Sequence, residues 1–107
     1  MTDSINAILE ERGARYGKFD DHARITGILK REMRQFRRRG EILPMAWDGL
    51  AYDQQESLDM IAHKIGRIIN GDPNYADSWV DIAGYAKLVA DRLQVAAGAA
   101  GKARIET

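Results

Sequence analysis

The stretch Asp53-Gln-Gln-Glu-Ser-Leu-Asp-Met-Ile-Ala-His-Lys-Ile-Gly-Arg-Ile-Ile-Asn-Gly71 decides the fold. Within it Leu58, Ile61, Ala62, Ile65, Ile68 and Ile69 recur at three- and four-residue steps, the period of a helix with one apolar face. Asp53 and Glu56 stand three apart at its start in a capping-box-like pattern, and Asn70-Gly71 supplies the stop. On the wheel Glu56, Met60, His63 and Arg67 fall opposite the apolar stripe, flanked by Asp59 and Lys64.

Downstream, Asp72-Pro73-Asn74-Tyr75 is a turn sequence, and the spacing predicts a further helix over 76–94 with Ile82, Ala86, Val89 and Leu93 inward. Asp77, Asp81, Gly84 and Leu88 share a neighbouring stripe, which puts the two carboxylates one turn apart on the same side. The Ala- and Gly-rich remainder has no amphipathic pattern and is expected to be a frayed or disordered tail, leaving one domain over 1–95 and a tail over 96–107.

Upstream, residues 40–50, with Pro44, Trp47 and Gly49, read as a loop pinned by its tryptophan. Before it a helix is expected over 21–39, its buried face made by Ile25, Ile28, Leu29, Met33 and Phe36, with Glu32 inside that stripe and His22 at its margin. Its outer face is basic: Lys30, Arg31, Arg34, Arg37, Arg38 and Arg39. A first, short helix follows the polar trio Thr2-Asp3-Ser4, carries Ile5, Ile8 and Leu9, and is expected to stop at Gly13, with 15–19 as connector. The fold class is therefore all-α, a four-helix bundle-like domain.

The 107 residues suffice for a modest core that an oligomeric partner would help to complete. Sixteen basic and sixteen acidic residues cancel, so no global field advertises nucleic acid or an acidic membrane. The absence of cysteine removes disulfides, thiolate metal sites and thiol catalysis together. No secretion-type start and no membrane-spanning apolar run are found, and a cytoplasmic location is the default expectation.

Without a serine motif or a metal-spaced histidine pair, the chemistry-like group is the carboxylates Glu56, Asp59, Asp77 and Asp81 with Lys64 and Arg67. Magnesium takes hard oxygen ligands and commonly bridges carboxylates to phosphates, so the combination suits a divalent cation and a phosphate. Each residue also has a plain structural role: Glu56 in the cap, Asp77 at a helix N-terminus, Asp59 in solvent, His63 on an exposed face, Tyr16 as a loop anchor. Nucleic acid is disfavoured as a partner because the basic helix carries no interleaved aromatics.

Arg15-Tyr-Gly-Lys-Phe19, Glu56 to Gly71 and Asp72 to Ala86 together resemble an uncharacterised family of bacteriophages and prophages, over about residues 5–93. That family is similar to the MazG-like all-α nucleoside triphosphate pyrophosphohydrolases. The resemblance implies a helical bundle that forms a homodimer or larger homo-oligomer, binds Mg2+ and cleaves a nucleotide to its monophosphate and pyrophosphate. It makes Glu56, Asp77 and Asp81 the metal ligands, Asp59 an auxiliary ligand or base with His63 as a proton carrier, and Lys64, Arg67 and Tyr16 the nucleotide contacts. The superfamily pattern is Glu-x-x-Glu then Glu-x-x-Asp; here stand Glu56-x-x-Asp59 and, one residue wider, Asp77-x-x-x-Asp81. The competing expectation is a non-catalytic, phage-encoded protein that uses its basic helix to engage a host component.

Overall fold

Tyr52–Asn70 forms the central helix, and every other helix packs against it. The computed structural model describes residues 2–40 and 45–106, with side chains over 4–40 and 45–99; Pro44 of the expected loop lies outside them. In chain order the helices are α1 (Thr2–Tyr16), α2 (Phe19–Gln35), α3 (Tyr52–Asn70) and α4 (Ala76–Glu106), with a 3-10 turn at Ala46–Gly49 and no strand among the described residues. The architecture is the expected all-α, bundle-like one. Its cross-section is open, because α2 and α4 flank α3 and α4 rests mainly on α3 alone.

The two long helices run antiparallel in strict register. Asp53 of α3 pairs with Arg92 of α4, and eleven residues further along each helix Lys64 pairs with Asp81. The start of α3 is fixed by Gln54, whose Oε1 accepts the Ala51 N–H at 2.9 Å. Glu56 is exposed and takes no part in that cap, which corrects the expected Asp53–Glu56 box. The register matters: Gln54 is the side chain three residues past the true N-cap, Ala51.

Helix α1 runs through Gly13 to Tyr16 instead of stopping there. A helical glycine costs only about 1 kcal/mol, and the terminating residue is Gly17, at φ +77° with its N–H on Gly13 O at 2.9 Å. Helix α2 begins at Phe19 and ends at Gln35, and its inward face is only part of the apolar stripe: Ile25, Leu29 and Met33 are half-buried on the side of His22 and Thr26. His22 and Thr26 are buried, whereas Ile28 is 47% and Phe36 62% exposed, and Glu32 points to solvent. The cause lies on α3. A Cβ at Gly66 would meet Thr26 Oγ1 at 2.5 Å and His22 Cδ2 at 3.0 Å, so the helices approach closely where Gly66 has no side chain. The buried His22 is satisfied, its Nε2 donating to the His63 carbonyl at 3.0 Å.

Because α3 is covered on two sides, its single apolar stripe does not define its interior: Ser57, Ala62, Lys64 and Gly66 are buried while Leu58 and Ile69 are exposed. Trp47 does pin its segment, buried beneath the Arg34 guanidinium at 4.3 Å. Arg34 in turn grips Asp59 with two hydrogen bonds of 2.9 and 2.6 Å. Helix α4 continues past Gln94 through the Ala- and Gly-rich segment to Glu106. Its 31 residues stretch the chain to 65 × 32 × 27 Å, with a radius of gyration of 18.6 Å. A compact chain of this length would have about 13 Å.

Candidate functional site

The C-terminal end of α3 clasps the connector between α1 and α2. Asn70 Nδ2 donates to the carbonyls of Tyr16 at 2.8 Å and Lys18 at 2.9 Å, and the Asp72 N–H reaches Arg15 O at 2.6 Å. Gly71 lets the two backbones touch, since a Cβ there would stand 2.1 Å from Arg15 O. The stretch around Tyr16 and the stretch from Asn70 to Tyr75, 54 residues further on, are thereby one structure.

From this clasp rises a ladder of cations and rings. The Arg67 guanidinium lies 4.2 Å over the Tyr16 ring, Tyr16 meets Tyr75 edge-on at 6.1 Å, and Arg15 lies 4.7 Å over Tyr75. Arg15 Nη1 also donates to Tyr75 Oη, and Tyr75 Oη donates to Asp77 Oδ2 at 2.7 Å. That last bond pushes the Tyr75 phenol above its ordinary range.

Beside Tyr16 and Arg67 opens a cleft of about 590 Å³ between α1, the connector, the start of α2 and α3. Arg12, Lys18 and Arg67 give it positive charge, Tyr16 and Phe19 give it ring faces, and His22 and His63 form its floor. Among the described residues no carboxylate lines it. Phe19 is 76% exposed, and its ring is tilted at 41° to the His22 imidazole, 6.4 Å between centroids, so most of it faces solvent. The two imidazoles meet edge to face at 4.5 Å. Burial, reinforced by His22, Arg67, Lys64 and Lys30, lowers His63 to about 4, so at neutral pH it is an uncharged donor and acceptor.

The residues singled out from sequence divide into separate places. Tyr16, His63 and Arg67 converge on the cleft. Asp59 is held by Arg34 on the α2 side, and Lys64 is on the α4 side, its Nζ 2.9 Å from Asp81 Oδ2. Asp77 accepts from Tyr75, and Glu56 stands exposed on α3. The helix register puts Glu56 roughly 12 Å along the axis from the Lys64–Asp81 level, at 1.5 Å per residue. Asp77 lies beyond that level, and no group of three or more His, Asp or Glu side chains is gathered for a metal ion among the described residues. Glu56, Asp77 and Asp81 of one chain therefore do not fit a shared magnesium ion.

Sequence reasoning did not single out Arg12, Lys18, Phe19 or Asn70 as functional. Arg12 and Lys18 are ordinary surface cations until the connector folds back. The available signal was Asn70-Gly71, which reads as a helix stop but serves as a clasp.

The family model described as a domain of unknown function, DUF6378, matches residues 1–93. No curated protein and no solved structure matches the chain.

Proposed function

The chain belongs to the DUF6378 family, and we propose that it binds a nucleoside polyphosphate in the cleft beside Tyr16. The observation that carries this reading is the lining of that cleft: three cations and two ring faces around one hollow, with no carboxylate among the described lining residues. Phosphate oxygens meet Arg12, Lys18 and Arg67, whose guanidinium and ammonium groups donate to them, while Glu11 in the adjoining hollow pairs with Arg15. The base stacks on Phe19, with Tyr16 held in place by Arg67.

Magnesium belongs to this reading as the companion of the polyphosphate. Cleavage to monophosphate and pyrophosphate is the activity that the resemblance to MazG-like pyrophosphohydrolases implies, and a cytoplasmic location agrees with such a ligand. Among the described residues no helix is long and apolar enough to cross a membrane.

Calorimetric titration with the common ribo- and deoxyribonucleoside triphosphates, with and without magnesium, tests the proposal, and pyrophosphate release in the same samples reads hydrolysis. At least one nucleotide is expected to bind, and Arg67→Met is expected to weaken it at least tenfold. Failure of the whole panel to bind, or binding indifferent to Arg67→Met, overturns the proposal.

A second reading, a non-catalytic protein that docks on a second copy or on a host protein, is favoured by the apolar surface of α4. Val80, Leu88 and Val95 are 64, 67 and 73% exposed there. Light scattering on the eluting protein separates a homo-oligomer from a monomer.

A further inference from the structure

Helix α2 ends at Gln35, and the backbone turns extended at Phe36 (φ −68°, ψ 133°). Phe36 thus leaves the helical face on which its spacing would have buried it and stands 62% exposed. It is tied down by its carbonyl, which accepts the Ala46 N–H at 2.9 Å. Arg37, Arg38 and Arg39 follow it directly, all exposed, and Gly40 turns the chain at φ +75°. One turn back on α2 is Arg31, 65% exposed, with Glu32 at 4.0 Å.

In a chain with no net charge, residues 30–39 hold six cations and one carboxylate. Arg34 grips Asp59, and Arg37 to Arg39 directly follow the exposed Phe36 in the chain. Cations at a helix C-terminus also suit the helix dipole. That effect fades within the last turn, however, and gives no reason for a phenylalanine to stand in solvent among them.

We propose that the end of α2, Arg31 with Phe36 and the arginines that follow it, is a binding surface for single-stranded nucleic acid. Guanidinium forks match phosphate oxygens, and an exposed ring stacks on a base of any identity. A duplex keeps its bases stacked on one another and offers Phe36 no face; an acidic peptide uses the charge but not the ring, and an anionic membrane holds a segment by a broad apolar face, of which a single ring is a small part. The surface is separate from the Tyr16 cleft and does not depend on nucleotide binding there.

The test is fluorescence anisotropy of the full chain with a labelled single strand of about 20 thymidylates, the matching duplex, polyglutamate and vesicles containing phosphatidylserine. Single-strand binding is expected to lose roughly 20-fold between about 50 and 200 mM salt, as for about three phosphate contacts. Phe36→Ala should weaken the single strand by roughly tenfold and the duplex far less. Arg37→Glu with Arg39→Glu should abolish both, with circular dichroism reporting an intact fold. Phe36→Ala should leave mononucleotide titrations unchanged. Absence of single-strand binding overturns the proposal. So does binding that Phe36→Ala does not weaken, or a preference for polyglutamate or vesicles over the strand.

Discussion

Lys64 Nζ lies 2.9 Å from Asp81 Oδ2, and the lysine side chain is only 11% exposed while the aspartate is 45% exposed. Asp81 therefore does a defined job inside one chain, neutralising a nearly buried ammonium at the α3–α4 contact. Asp81→Ala is expected to lower stability by about 1–2 kcal/mol, between the values for exposed and buried pairs. Lys64→Met in the same background should restore most of it. Chemical denaturation of the single and double variants checks this; an Asp81→Ala protein as stable as the parent would show that the pair carries no load.

Gly66→Ala tests the α2–α3 crossing. Alanine is the better helix former by about 1 kcal/mol, yet its Cβ would sit 2.5 Å from Thr26 Oγ1 and 3.0 Å from His22 Cδ2. Overpacking at a close crossing costs about 1–3 kcal/mol, so the melting temperature should fall. A rise would mean that the helices separate without cost.

Asn70→Ala removes both hydrogen bonds that hold the connector at Tyr16 and Lys18. A loss of about 1–2 kcal/mol is expected, together with faster amide exchange over 15–19. Nucleotide binding should weaken with it, because Tyr16 and Lys18 lose their anchor. Gly17→Ala should be worse: its φ is +77° and a Cβ would stand 2.2 Å from Asn70 O.

His63 gives the fold a sensitivity to acid. Its folded value of about 4 lies below the ordinary 6.5, so the unfolded chain binds more protons between those limits. Stability is full above about pH 6.5 and is lost as pH falls toward about 4. His63→Gln should lose less of its denaturation midpoint than the parent between about pH 7 and pH 5. Equal losses would show that the imidazole is not shielded.

Helix identity was legible because α3 and α4 carry a regular three-four apolar repeat over many turns. Which face is inside was less so. On α2 Ile25, Leu29 and Met33 are half-buried as their spacing predicts, but Ile28 and Phe36 are exposed, and His22 and Thr26 are the most buried, where they meet a glycine and a carbonyl of α3. The carboxylates tell the same story. Spacing puts Asp77 and Asp81 on one side of a helix, but their partners, Tyr75 and Lys64, depend on how that helix is laid against α3.

By itself the sequence determined that this chain is helical, roughly where its helices lie, and that it has no thiol chemistry; these follow from local periodicity, turn residues and composition. Tertiary structure alone decided that Asn70-Gly71 grips the connector, that Tyr16, His63 and Arg67 face one cleft, and that Phe36 stands outside the core. The reason is physical. Periodicity fixes which residues share a face, whereas close approach at Gly66 and Gly71 and pairing over dozens of residues fix what each face meets.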